Sequence, residues 1–326
     1  MADAPPPPGG DATLVRERHT EKVLRQLELQ VTRRLDGLLQ GDYQGLLPGP
    51  GSEPGESRVY RAGDDVRRID WNVTARTTIP HVRDQVADRE LETWVVVDCS
   101  ASLDFGTALC EKRDLAVAAV GAVGFLTARI GNRMGAVVIN PGRVERIPAR
   151  TGRQALFALL HRLITRPRAL PTEGGAGGTD LAGGIAHLVQ PPQRRGLAVV
   201  VSDFLAPAGW EKPLRALALR HQVLAVEIID PRELELPNVG YLAMVDPETG
   251  RRLSVPTGKA SLCRRYAEAA AAERTAIATA IRRSGAQHLQ LRTDRDWMRD
   301  IVAFVVSNRQ RRGALVSADP LAGAAR

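Results

Sequence analysis

The stretch that most constrains the fold is a short apolar run, Trp94-Val95-Val96-Val97, that ends in Asp98-Cys99-Ser100-Ala101-Ser102. Such a run predicts a strand buried on both faces of a mainly parallel sheet. Loops at the carboxyl edge of this kind of sheet surround a crevice in which ligands bind. The spacing Asp-x-Ser-x-Ser places three oxygen donors on one side of a tight loop, and Mg²⁺ and Mn²⁺ prefer oxygen ligands. This loop is therefore a candidate functional site.

Two later segments supply further oxygen donors. Gly177-Gly178-Thr179-Asp180 opens an apolar helix, and Ser202-Asp203 ends a second apolar run. We predict that one divalent cation is held by Asp98, Ser100, Ser102, Thr179 and Asp203. In this order, the five residues resemble the metal-ion-dependent adhesion site (MIDAS) of von Willebrand factor A domains. The alternative is structural: the serines cap a turn, Thr179 caps its helix, and Asp203 accepts local amide hydrogen bonds.

Composition and periodicity predict an α/β fold, a doubly wound sheet flanked by helices. The chain has 326 residues, of which 44% are hydrophobic and only 4% aromatic, so the core has to be built from Ala, Val, Leu and Ile. Apolar runs predict a first core strand within 82–97, buried at 93–97, and further strands at 134–140, 143–148, 197–202, 222–229 and 286–291. Helical spacing predicts helices at 112–129, 151–165, 210–220, 257–283 and 296–306. A hairpin is expected around the turn at 246–250.

Charge and cysteine content indicate which kinds of partner and which cellular compartment fit this chain. The net charge is +8, but the arginines are spread along the chain without interleaved stacking aromatics, which argues against a nucleic-acid site. The three cysteines show no CxxC pair, which fits a reducing compartment. Because neither a signal-peptide pattern nor an apolar stretch of membrane-spanning length is present, we expect a cytoplasmic protein.

The chain divides into five predicted segments. Residues 1–11 are a Pro- and Gly-rich flexible tail, and 12–40 form an amphipathic helix whose apolar stripe is Leu24, Leu27, Val31, Leu35 and Leu38. Residues 41–91 form a small β-rich arm, 92–309 the α/β domain, and 310–326 a second flexible tail. We expect the helix to dock on the domain; a partner-helix role is the alternative.

The arm carries a dense mixture of acids, arginines and aromatics at residues 58–71. Gly63 can supply a positive φ, Asp70 can pair with a nearby arginine, and Trp71 is expected to be a buried anchor. This pattern favours a salt-bridged structural corner. A surface for docking a partner is the alternative interpretation.

The same segment carries a resemblance to a known family. The motif residues are Tyr60, Gly63-Asp64-Asp65, Arg67, Ile69-Asp70-Trp71, Thr74-Ala75-Arg76, Asp98-x-Ser100-x-Ser102 and Phe105-Gly106. From residue 41 onwards the chain resembles the bacterial domain-of-unknown-function family fifty-eight. This resemblance implies a von Willebrand factor A-like domain with a small β-rich arm. It also implies an adaptor that acts with a MoxR-type AAA+ ATPase in the assembly or maturation of protein complexes.

Two functions from different classes remain open. In a metal-dependent binding module, neutral hydroxyl ligands leave the cation under-neutralised, so a partner's Asp or Glu completes the coordination shell. The alternative is a magnesium-dependent phosphohydrolase with Asp98 as nucleophile. A haloacid-dehalogenase-like site would need a second acid two positions later, where this chain has Ser100. We therefore expect a binding protein rather than an enzyme.

Overall fold

The computed structural model describes residues 25, 27–29, 31, 33, 57–60, 69–83, 92–128, 132–168, 179–190 and 196–317. The strands are β1 (Ser57–Val59), β2 (His81–Arg83), β3 (Glu92–Asp98), β4 (Arg133–Asn140), β5 (Arg143–Arg150), β6 (Gly196–Ser202), β7 (Gln222–Ile229), β8 (Leu242–Val245), β9 (Arg252–Val255) and β10 (Gln287–Arg292). The helices are α1 (Trp71–Thr77), α2 (Lys112–Ala128), α3 (Arg153–Ile164), α4 (Leu181–Val189), α5 (Glu211–Ala218), α6 (Ala260–Arg283) and α7 (Trp297–Ser317).

Six strands form the central sheet in the order β10-β7-β6-β3-β4-β5. All neighbours are parallel except β4 and β5, which form the antiparallel edge. The direction of strand order reverses between β3 and β6, and ligands in doubly wound sheets bind outside the carboxyl ends of the strands at such a reversal. The predicted fold class is confirmed, and it places Asp98 and Asp203 at this switch point.

Alternate residues of β3 pack into two apolar layers on opposite faces of the sheet. Val95 and Val97 belong to the layer that includes side chains of α2, α3 and α7. Trp94 and Val96 belong to the layer that includes side chains of α4, α5 and α6. Because both faces are covered, the strand consists of consecutive apolar residues rather than an alternating pattern.

The described residues between positions 25 and 33 are helical and contact the domain. Leu27 and Val31 are buried in the layer with α2, and Leu27 lies so close to Gly121 that a Cβ there would come within 2.7 Å of it. Glu28 pairs with Arg153. This part of the predicted stripe therefore docks on the domain; Leu24, Leu35 and Leu38 lie outside the described residues.

The described part of the arm consists of β1 paired antiparallel with β2, and α1, a helix that the sequence did not predict. Asp70 caps α1 by accepting the backbone N–H groups of Asn72 at 3.1 Å and Val73 at 3.3 Å. The prediction that Trp71 is a buried anchor is wrong. Its side chain is 71% exposed, because it begins a seven-residue helix in which no residue is buried.

Two other motif residues of the arm donate hydrogen bonds to backbone carbonyls within the arm. The backbone N–H of Tyr60 donates to the carbonyl of Pro80 at 2.8 Å, and Arg76 Nε donates to the carbonyl of Asn72 at 3.3 Å. Gly63, Asp64, Asp65 and Arg67 lie outside the described residues.

The carboxyl-terminal part differs from the sequence predictions in two places. Helix α7 runs to Ser317, beyond the expected start of the tail at 310, because Arg, Ala and Leu continue a helix readily. Helix α6 begins at Ala260, three residues after the predicted start at 257, and the hydroxyl of Thr257 accepts the N–H of Val239 at 3.3 Å. None of the helices described could cross a membrane.

Candidate metal-binding site

Three of the predicted residues meet directly after β3. Asp98 is buried; its Oδ1 accepts the N–H of Ser100 at 3.0 Å and its Oδ2 accepts the hydroxyl of Ser202 at 2.7 Å. The hydroxyls of Ser100 and Ser102 lie 3.0 Å apart. The loop therefore places two hydroxyl oxygens beside a carboxylate that hydrogen bonds hold in one orientation.

Asp203 contributes the second carboxylate from the end of the neighbouring strand β6. It is buried, and its Oδ1 accepts the N–H of Leu205 at 3.1 Å. Burial would raise the pKa of Asp203, but the charge of Lys112 lowers it, and hydrogen bonds, including one from the Ser102 side chain, lower it further. Burial and the nearby charge of Asp203 raise the pKa of Asp98 from 3.8 to about 6. The two carboxylates are thus close enough to repel each other.

Thr179 lies at the same crevice, half-buried just before α4, and lines one cavity together with Ser102 and Asp203. The cap of α4 is Asp180, whose Oδ1 accepts the N–H of Gly183 at 2.7 Å. The alternative that Thr179 serves as the helix cap is therefore wrong.

Lys112, the first residue of α2, is a site residue that sequence reasoning missed. Its side chain is fully buried, and Nζ donates to Asp203 Oδ2 at 2.8 Å and to Glu233. Burial alone would lower the pKa of Lys112, but Asp203 and Glu233 raise it above its ordinary value. The one available signal was a lysine at a helix N-terminus, where the helix dipole disfavours a cation.

A buried ionic network continues beneath Lys112. Arg274 NH1 donates to the carbonyl of Asp203 at 2.8 Å and to Glu227 at 3.0 Å, and NH2 donates to Glu233 at 2.9 Å. Glu227 also contacts His288 Nε2 at 2.8 Å. These contacts join β6, β7, β10 and α6, and the contact from Arg274 holds the backbone carbonyl of Asp203 in place.

Another buried acid, Asp230, holds the loop that follows the serines. It accepts the N–H and hydroxyl of Thr107 at 2.8 and 2.6 Å and the hydroxyl of Thr293 at 2.8 Å. Burial would raise the pKa of Asp230, but these hydrogen bonds lower it. The loop is therefore tied to the ends of β7 and β10.

The crevice opens into a cavity of about 860 Å³ between the serine loop and the β8–β9 hairpin. Its apolar lining includes Phe105, Leu205, Leu242, Met244 and Tyr266. Glu248, at the tip of the hairpin, reaches the serine loop, where its Oε1 accepts the N–H of Ser102 at 2.9 Å.

The donor set decides which ions this site could hold. In the described portion of the chain, no three His, Cys, Asp or Glu side chains group into a metal site. Hydroxyl oxygens would therefore have to supply part of any coordination shell. Hydroxyl and carboxylate oxygens with retained water suit Mg²⁺ or Mn²⁺, whereas zinc sites usually include nitrogen or sulfur ligands. The residues fit a hard divalent cation, which would supply positive charge for a further oxygen ligand.

Relatives of similar sequence include uncharacterized proteins of mycobacteria. An uncharacterized protein of Mycobacterium tuberculosis and one of Mycobacterium bovis are each 58% identical over 294 residues, which is 90% of this chain and 90% of theirs. An uncharacterized protein of Mycobacterium avium is 50% identical over 174 residues, 53% of this chain and 98% of its own.

Solved structures give distant matches. BatB from Bacteroides thetaiotaomicron, a conserved hypothetical protein, has a TM-score of 0.40 and 15% identity over 68% of this chain and 99% of its own. The SpRpn10 VWA domain has a TM-score of 0.35 and 13% identity over 66% of this chain and 94% of its own.

The six-stranded sheet, parallel except for one antiparallel edge and covered by helices on both faces, is the doubly wound arrangement that the sequence predicted. A family model described as "Protein of unknown function DUF58" matches residues 56–276. This match covers most of the arm and most of the α/β domain. The chain belongs to the DUF58 family.

Proposed function

We propose that this protein is a binding adaptor that recognises an acidic side chain of a protein partner through a Mg²⁺ or Mn²⁺ ion. The ion would be held by Asp98, Ser100, Ser102, Thr179 and Asp203. The observation that carries the proposal is the pair of serine hydroxyls, 3.0 Å apart, between two buried carboxylates at the switch point of the sheet. Asp203 accepts the local N–H of Leu205, as the structural alternative expects. Local capping does not account for the contacts of Ser202 with Asp98 and of Ser102 with Asp203, which connect the ends of two strands.

The charges at the site favour an anionic partner group. Lys112 already neutralises much of the charge of Asp203, and the serine ligands are neutral. A divalent cation here would keep net positive charge, and Mg²⁺ retains waters that an incoming carboxylate can replace. The net charge of +8 adds long-range attraction that salt weakens.

The partner we propose is a MoxR-type AAA+ ATPase or a client that it remodels, as the family resemblance implies. Apolar side chains border the site and can add contact area around an acidic anchor. Phe105 and Leu205 are 37% and 39% exposed beside the serine loop. The exposed Trp71 on the arm offers a second contact for a large partner.

Capture of a purified MoxR-type ATPase by the immobilised full chain tests this proposal. We expect capture with Mg²⁺, loss of capture with a chelator, and weaker capture by Ser100→Ala. The matched control is Ser261→Ala on the exposed start of α6, which should behave like the wild type. Equal capture in Mg²⁺ and in chelator would contradict the metal-dependent mechanism.

The phosphohydrolase alternative finds less support in the geometry. A haloacid-dehalogenase-like site would need a second acid two positions after Asp98, where this chain has Ser100. Lys112 is committed to Asp203 and Glu233 rather than to the open crevice. We expect no Mg²⁺-dependent hydrolysis of a generic phosphate ester; turnover abolished by Asp98→Asn would support the enzyme instead.

A further inference from the structure

The tip of the β8–β9 hairpin places an acidic side chain on the serine loop. Glu248 Oε1 accepts the backbone N–H of Ser102 at 2.9 Å, although the two residues are 146 positions apart. The Ser100 side chain also interacts with this carboxylate. A carboxylate of the chain itself therefore lies where the proposed function requires a partner's carboxylate.

Asp246, the other acid in the turn that carries Glu248, stabilises this turn. Asp246 Oδ1 accepts the N–H of Glu248 at 2.9 Å, and its Oδ2 accepts the hydroxyl of Thr249 at 2.6 Å. Gly250 closes the turn at φ +69°, and its N–H donates to the carbonyl of Asp246 at 2.8 Å. Asp246 is thus used within the turn, whereas Glu248 extends outward to the serine loop.

We expect the hairpin to move away from the serine loop at a small cost in free energy. Strands β8 and β9 form a separate two-stranded sheet, and isolated two-stranded hairpins are marginally stable. Val245 and Leu253 are 55% and 59% exposed, so the hairpin buries little apolar surface. The cavity lies between much of the hairpin and the rest of the crevice. Segments with few buried contacts open with small free energies.

The charge at this position fits an ion-dependent contact. Glu248 lies near enough to Asp203 for the two carboxylates to repel each other, and Lys112 is shared between Asp203 and Glu233. A divalent cation among the loop oxygens would turn this repulsion into attraction.

We propose that Glu248 is an internal acidic competitor at the serine loop beside the candidate metal site, and that the β8–β9 hairpin is a self-made lid which a partner's acid must displace. This inference rests on the proposed function. A tethered competitor acts at a high effective concentration, so it lowers the apparent affinity for any external carboxylate. A partner that offers only a single acid would not displace the hairpin. A partner that makes further contacts around the site would displace it.

Full-length wild type, Glu248→Gln and Glu235→Gln are compared in one experiment. Glu235 is an exposed glutamate on the segment that leads into the hairpin, so its variant is the matched control. The probe is a labelled, cyclised synthetic peptide with the sequence of residues 242–255, and a second peptide carries Glu248→Gln. Binding is followed by fluorescence anisotropy in Mg²⁺ and in chelator, and Mg²⁺ binding by each protein is measured separately by calorimetry.

We expect the Glu248→Gln protein to bind the acidic peptide at least about tenfold more tightly than wild type or control in Mg²⁺. Chelator and the Gln peptide should both abolish binding. If wild type binds Mg²⁺ but all three proteins bind the peptide equally, or none binds it, the lid is overturned while the metal site stands. If calorimetry detects no Mg²⁺ binding by wild type, the proposed function fails, and the inference fails with it.

Discussion

Replacing Asp98 by Asn should stabilise the protein in the absence of metal. The pKa of Asp98 is raised from 3.8 to about 6 by burial and by the charge of Asp203. A folded-state pKa above the unfolded value means that stability is present at low pH and is lost as pH rises through about 6. At neutral pH the ionised side chain therefore destabilises the folded state by roughly 3 kcal/mol.

The substitution removes this penalty with little change of shape. The Asn oxygen can still accept the N–H of Ser100, and its amide can donate to the Ser202 hydroxyl, which must then reorient at a cost of about 1 kcal/mol. The net expectation is a gain of about 2 kcal/mol, or roughly 4–8 °C in Tm.

Denaturant unfolding in chelator measures this gain. The advantage of Asp98→Asn should be full near about pH 7.5 and should shrink toward about pH 4, where Asp98 is protonated in the folded wild type. The control Glu273→Gln removes an exposed carboxylate on α6 and should change little at either pH. A variant less stable than wild type at neutral pH, or an advantage independent of pH, would refute the reasoning.

Three further predictions concern the surroundings of the site. Lys112→Met leaves Asp203 and Glu233 without their ammonium, so unfolding in urea should show a loss of about 3–5 kcal/mol; a loss below about 1 kcal/mol would contradict the account. Asp230→Asn weakens hydrogen bonds that lower the pKa of this acid, so it should cost about 2 kcal/mol at neutral pH, and the difference should begin to shrink below about pH 4 and be smallest once the pH is below the lowered pKa of Asp230. Trp71→Ala removes an exposed ring and should change stability by no more than about 0.5 kcal/mol in the same assay; a large loss of stability would show that the ring is buried.

The sheet could be predicted from sequence because its strands are buried on both faces. Strand β7 has the predicted bounds, and β4 and β6 each begin one residue earlier than predicted. Since parallel strands end at the same edge, the approach of Asp98 to Asp203 also followed from pattern alone. The prediction that Trp71 is buried was wrong, because this aromatic residue begins a short capped helix that exposes its side chain to solvent.

The residues that sequence reasoning missed are those whose partners lie far along the chain. Lys112 is 91 residues from Asp203, and Glu248 is 146 residues from Ser102. The local sequence around Glu248 indicates only a surface turn, and Lys112 indicates only the start of a helix. Their roles arise from the way α2 and the hairpin are placed against the sheet, which no local pattern encodes.

The proposed function depends on the serine loop holding a divalent cation. Titration calorimetry of the full chain with Mg²⁺ measures this binding, with Asp98→Ala as the variant that removes the buried carboxylate and Glu273→Gln as the control. We expect one binding site in wild type and control, and no measurable binding by Asp98→Ala while its circular dichroism shows a folded protein. No binding by wild type, or unchanged binding by a folded Asp98→Ala, would contradict it.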